Sequence, residues 1–178
     1  MSYYNPGYAQ QPTQPALLTP PRILISHSSF DKEFCDIFVE FLVSLGFTND
    51  TIIYTSKSEF AIPIGKDIYD YLRFHLNREI WIFFMLSHNF YKSPACLNEM
   101  GAVWIKQNKY YSVLLPNFEH SDIKGVLNRN QHTLDLCDPV RLTELLNLFK
   151  QTWKLRINNT MWEASKNSFI TKMTKLYI

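Results

Sequence analysis

The sequence predicts an α/β domain, a doubly wound sheet of five parallel strands with a C-terminal helical extension. Three observations carry this reading. From Arg22 onward, apolar runs of four to seven residues alternate with segments of helical period, the pattern of repeated strand–helix units. One run, Ile80-Trp81-Ile82-Phe83-Phe84-Met85-Leu86, is apolar throughout, as a central parallel strand covered on both faces has to be. The 178 residues are 46% hydrophobic and 15% aromatic, enough to build the core of one domain and too few residues for two large ones.

Taken in order, residues 1–21 hold five of the nine prolines, three glutamines and no charged side chain, a composition that predicts a flexible tail. The first strand is Arg22 to Ser26. The helix after it sets Phe34, Phe38, Phe41, Leu42 and Leu45 on one side, with Gly46 as its stop. A short strand, Ile52-Ile53-Tyr54, leads into a polar stretch from Thr55 to Gly65, long for a strand–helix connection and therefore of functional interest. A helix with Ile68, Tyr71, Leu72 and Leu76 on one side precedes the central strand. Beyond that strand, Ser93-Pro94 pairs an N-cap with a first-turn proline and opens a helix to about Asn108. Tyr111 to Leu115 reads as the fourth strand and Thr133 to Leu136 as a short fifth. Leu142, Leu145, Leu146, Phe149 and Trp153 mark a further helix, and Trp162, Phe169, Ile170 and Met173 a last one packing back on the domain. The expected division is a tail at 1–21, a domain at 22–155 and a helical extension at 156–178.

A formal charge of +2 is too balanced for a dedicated nucleic-acid surface. Cys35, Cys96 and Cys137 are odd in number and widely spaced, which fits a reducing, cytoplasmic setting better than a disulfide framework. The longest apolar run falls far short of the ~20 residues of a membrane helix, and no basic-then-apolar leader opens the sequence. Neither nucleic acid nor membrane is expected as a partner.

Ligands of open parallel sheets bind beyond the carboxyl ends of the strands. After the first strand comes Ser26-His27-Ser28-Ser29-Phe30-Asp31, in which Ser28 and Asp31 have the spacing of a capping box. Besides capping, hydroxyls and free amides there can receive a ligand phosphate. A receiver-domain phosphoacceptor site lacks its carboxylates, since Ser87-His88 follows the central strand. Five scattered glycines form neither a dinucleotide fingerprint nor a P-loop, and His27, His75, His88, His120 and His132 have no neighbours at metal-ligand spacing, so no metal is expected. Glu99 stands out. Its neighbours three and four positions away are Ala95, Cys96, Ala102 and Val103, so it has no local ion-pair partner, and it lies near the edge of the central strand. A carboxylate so placed is either a plain surface Glu or a functional group with a perturbed pKa.

Together these residues resemble the Toll/interleukin-1 receptor (TIR) domain family, a flavodoxin-like fold, and in particular small bacterial TIR proteins that consume NAD in anti-phage defence. Ile23-Leu24-Ile25-Ser26-His27-Ser28 with Asp31 is similar to the family's opening "FISYS…D" block, with His27 in place of the usual Tyr. Ile62-Pro63-Ile64-Gly65-Lys66-Asp67-Ile68 resembles its mobile BB loop. Leu86-Ser87-His88-Asn89-Phe90-Tyr91-Lys92-Ser93-Pro94-Ala95-Cys96-Leu97-Asn98-Glu99-Met100-Gly101 resembles "LSxNYxxSxWCxxEL", with Ala95 in place of Trp. From Tyr110 onward the likeness is to the general fold alone.

The resemblance implies a catalytic Glu99 and a substrate site drawn from Ser26, His27, Ser28, Ser29, Phe30, Ser56, Ile64, Gly65 and Cys96, with the Ser56–Gly65 loop as a lid. It implies NAD as substrate with no further cofactor, nicotinamide plus ADP-ribose or a cyclic ADP-ribose-type signal as products, head-to-tail self-association through the BB loop, and a downstream effector for the product. A non-catalytic TIR adaptor and a nucleoside deoxyribosyltransferase-like enzyme are the alternatives.

Overall fold

The computed structural model describes residues 20–60, 65, 67–128 and 130–176. Its sheet has four strands: β1 (Arg22–Ser26), β2 (Ile52–Ile53), β3 (Ile80–Leu86) and β4 (Lys109–Leu114), all parallel and ordered β2-β1-β3-β4. The helices are α1 (Lys32–Ser44), α2 (Ile68–Leu76), α3 (His88–Lys92), α4 (Pro94–Lys106), α5 (Pro139–Trp153) and α6 (Asn159–Leu176). The α/β doubly wound class is as expected, but the fifth element is reduced to one bridge between Val113 and Leu134. The cause is local. Leu134 N–H donates to the Ser112 carbonyl at 2.8 Å, and then the Asp135 side chain accepts from Cys137 N–H at 2.8 Å, turning the backbone away before a ladder can form. The short α3 was not anticipated; it is capped by Ser87, whose hydroxyl accepts from Phe90 N–H.

Every residue of β3 is buried because its two faces feed two cores. Trp81, Phe83 and Met85 point to the side of α1, α5 and α6, whereas Ile80, Ile82, Phe84 and Leu86 point to the side of α2 and α4. Helix α6 packs on α1 through Phe169 stacked on Phe41 at 4.4 Å between ring centroids, and Lys172 reaches Glu40 at 3.0 Å. At the start of the described chain Pro21 is buried and its carbonyl accepts from Trp153 Nε1 at 3.0 Å. The rest of the expected tail, residues 1–19, lies outside the described residues.

The chain leaves β1 for β2 on one side and crosses to β3 on the other, so the strand order reverses between β1 and β3. Their carboxyl ends therefore flank the crevice where doubly wound sheets bind ligands.

Candidate functional site

Ser26, the last residue of β1, and Glu99, in the second turn of α4, meet at this crevice. Ser26 Oγ donates to Glu99 Oε2 at 2.6 Å, a length typical of a hydroxyl on a carboxylate. The local reason is the start of α4. Ser93 Oγ accepts from Cys96 N–H, Pro94 occupies the first turn, and the helix so started projects Glu99 back toward the sheet. Glu99 is half-buried, and burial raises its carboxyl above the ordinary value while the Ser26 hydrogen bond pulls it down. Glu99 Oε1 has no hydrogen bond among the described residues.

His27 is held from both ring nitrogens. The Ile25 carbonyl, 3.0 Å away, can only accept, so Nδ1 carries the ring proton and Nε2 accepts from Ser56 Oγ at 2.7 Å. Burial lowers the His27 pKa, with the Ile25 bond opposing, which keeps the ring neutral. The Tyr54 ring lies 4.7 Å from it. Hence Ser56, the first part of the loop after β2, is tied to the turn after β1.

Ser28 is buried and its hydroxyl accepts from Phe30 N–H at 3.4 Å; Ser29 is exposed, and Phe30 projects into solvent with 86% of its surface exposed. An apolar ring that exposed, on a turn pinned by neighbouring hydrogen bonds, is available to stack on a planar ligand. The expected capping box does not form. Asp31 sits at the N-cap of α1 without capping it, because its carboxylate accepts from Ser87 Oγ at 2.5 Å and Asn89 Nδ2 at 2.8 Å. Cys96 is buried in the core beneath α4, and burial raises its thiol pKa, so it lies behind Glu99 rather than at the surface. Gly65 is exposed with φ +85°, a left-handed conformation that favours glycine. Ile64, with 61–63 of the expected lid, falls outside the described residues.

A groove of about 330 Å³ runs between α2 and α4 with Glu99 on its wall. Leu72, Ala95, Ala102 and Ile105 line it, and Arg73 and Lys106 add positive charge. Sequence reasoning missed Leu72, Arg73, Asn98 and Lys106 as neighbours of Glu99. Asn98 and Lys106 share the helix with it and are findable by helical spacing, but nothing local places α2 opposite. Ala95 is part of the wall, so the small side chain widens the groove beside the carboxylate. Among the described residues no group of three or more His, Cys, Asp or Glu side chains is gathered to hold a metal ion, and no helix is long and apolar enough to cross a membrane.

An open parallel sheet with a half-buried carboxylate at its switch point defines a doubly wound α/β domain with a candidate site where such sheets bind ligands. Comparison then specifies the fold: the TIR domain of the Toll-related receptor TRR-2 from Hydra magnipapillata superposes with a TM-score of 0.55, covering 73% of this chain and 96% of that one at 17% identity. The chain has the TIR fold. It is also 41% identical over 152 residues to the uncharacterized protein YddK of Bacillus subtilis (strain 168), a match covering 85% of this chain. This chain spans 57% of that relative's length. No protein-family model matches it.

Proposed function

We propose that this chain is a TIR enzyme that cleaves the nicotinamide–ribosyl bond of NAD, releasing nicotinamide and leaving ADP-ribose or a cyclic ADP-ribose-type product. The observation that carries the reading is the Glu99–Ser26 pair at the switch point: a carboxylate held by one oxygen, with the other lacking a hydrogen-bond partner among the described residues, and bordering the groove between α2 and α4. Glycoside cleavage ordinarily needs two carboxyl groups, one of them to protonate the leaving oxygen. Nicotinamide departs as a neutral pyridine and needs no proton. A single ionised Glu99 then has two tasks, hydrogen bonding to ribose hydroxyls and stabilising the developing oxocarbenium charge. It does both best in a site poor in water, where such electrostatics are strongest. Water attack yields ADP-ribose, and attack by the substrate's own adenine or ribose yields a cyclic product.

Phe30 is suited to stack on a base, and the Ser26–Phe30 turn offers hydroxyls and amides to ribose and phosphates. Self-association through the Ser56–Gly65 loop, a bacterial anti-phage role and an effector that senses the product follow from the resemblance of the three sequence blocks. Incubating the protein with NAD and separating products by chromatography tests the reading. Nicotinamide release by the wild type that is lost in Glu99→Gln supports it, and specific activity that climbs with protein concentration supports self-association. Absence of nicotinamide release at high micromolar protein would sink the enzymatic reading.

A further inference from the structure

Asp31 is used in an unusual way. It occupies the N-cap of α1, where an Asp ordinarily accepts from the first free amides of its own helix, yet its side chain makes no such bond. The carboxylate is instead buried, 6% exposed, and turned across the crevice. One oxygen accepts from Ser87 Oγ and the other from Asn89 Nδ2, both in the segment that follows β3. Ser87 is itself engaged, because its hydroxyl also accepts from Phe90 N–H at the start of α3. Helix α3 runs straight into α4, whose N-cap Ser93 donates its backbone N–H to the Phe90 carbonyl at 3.1 Å. On its other side Asp31 closes the turn after β1, donating its N–H to the Ser28 carbonyl at 2.9 Å.

We infer that Asp31 is a positioning residue: by joining the turn that carries Ser26 and Phe30 to the α3–α4 segment that carries Glu99, it sets the separation across which Ser26 and Glu99 bond. A carboxylate is suited to this because it accepts on both oxygens at once and needs no proton of its own. The catalytic consequence rests on the NAD-cleavage reading; the geometric claim does not.

The test therefore reads Glu99 directly. Its carboxyl is titrated by NMR in the full chain for wild type, Asp31→Asn and Asn89→Ala. Ser26→Ala serves as the reference for a lost Ser26–Glu99 bond, and Leu142→Ala as a destabilised control on the opposite face of the sheet. Besides Ser26, the charged or titratable groups near Glu99 are Arg73 and Lys106 in the groove and Cys96 on its own helix, none of them altered in these variants; loss of the Asp31 charge, which also reaches Cys96, would by itself move the Glu99 midpoint down, opposite to the expected shift. The Glu99 midpoint is expected to move up in both Asp31→Asn and Asn89→Ala, in the direction of Ser26→Ala, and to stay at the wild-type value in Leu142→Ala. With NAD as substrate, kcat is expected to fall by roughly 10- to 100-fold, the scale of a small misplacement, with little change in KM. A Glu99 midpoint unchanged in the variants overturns the inference, whatever happens to their melting temperatures. If Asp31→Asn does not fold, Asn89→Ala, which removes one of the two bonds, decides alone. A wild type that leaves NAD intact rejects the NAD reading and leaves the titration to judge Asp31.

Discussion

The two faces of the sheet are built differently. On the side of α1, α5 and α6 the core is rich in large aromatics, among them Phe38, Phe83, Phe149, Trp162 and Phe169, and a second layer of helix closes over α1. On the side of α2 and α4 the core holds, among the described residues, fewer large aromatics, and a groove stands open beside Glu99. One face is dominated by aromatic packing. The other sets a carboxylate at the switch point with a groove running beside it along α4, a division of labour expected where function needs a site that a close-packed interior would exclude.

Phe149→Ala should show the largest effect on stability. The ring is fully buried and packs edge-on against Phe47 and Trp153, so its removal is expected to cost about 3–5 kcal/mol in denaturant unfolding. Leu72→Ala on the groove side should cost less, about 2–3 kcal/mol, because a side chain already bordering open space leaves a smaller new void. Equal losses would erase the proposed contrast.

Next comes Glu99→Gln, which keeps shape and removes charge. NAD cleavage is expected to fall by about 100-fold or more, roughly 2.7 kcal/mol of transition-state stabilisation. Stability should be unchanged or slightly higher, since a partly desolvated charge disappears. In the wild type the activity should decline as pH falls through the raised Glu99 pKa, because only the ionised form serves, and that acid limb should lie above the ordinary Glu range.

The face bearing α2 also carries a pH dependence of its own. His75 is buried and its pKa is lowered to about 4, by desolvation first and then by the Arg22 guanidinium, whose Nη1 lies 3.2 Å from His75 Nε2. The folded state favours the neutral ring, so this stabilisation is complete above the unfolded value near 6.5 and is lost as pH falls from there to about 4. Chemical unfolding at pH 7.5 and pH 5 should reveal a loss on the order of 2 kcal/mol, the part of this window that lies above pH 5. His75→Gln should shrink it. An identical acid profile in that variant would show that His75 does not titrate in this way.

Smallest of all, Lys172→Ala should cost no more than ~0.5–1 kcal/mol and should lose that effect in high salt, since the Lys172–Glu40 pair is about half exposed at both ends. A larger loss that high salt removes would mean that α6 is held by its charges rather than by Phe169 and Trp162, whereas a salt-insensitive one would point to packing of the Lys172 stem.

Much of this molecule was written locally. The all-apolar run of β3, the period of α1 with its stop at Gly46, and the Ser93-Pro94 start of α4 are set by neighbours within a few residues, and each appears in the structure where periodicity and capping put it. Glu99 was singled out by the same means, from the absence of a charge one helical turn away. Spacing could not supply its partner. Ser26 lies 73 residues away in the chain, and the bond exists because the strand order reverses between β1 and β3. Asp31 has a local capping signature and a non-local use, since Ser87 and Asn89 compete successfully for its carboxylate once the sheet brings them near. The fifth strand failed for the converse reason: an Asp135 turn outbid a ladder that had one apolar neighbour to reward it. Local sequence decides where helices and strands begin and end because the competing interactions lie within a turn of one another. Which side chains meet across the crevice, and how wide the groove beside them stands, is decided by the packing of elements far apart in the chain, where the hydrogen bonds and buried surface of the whole sheet outweigh any single local preference.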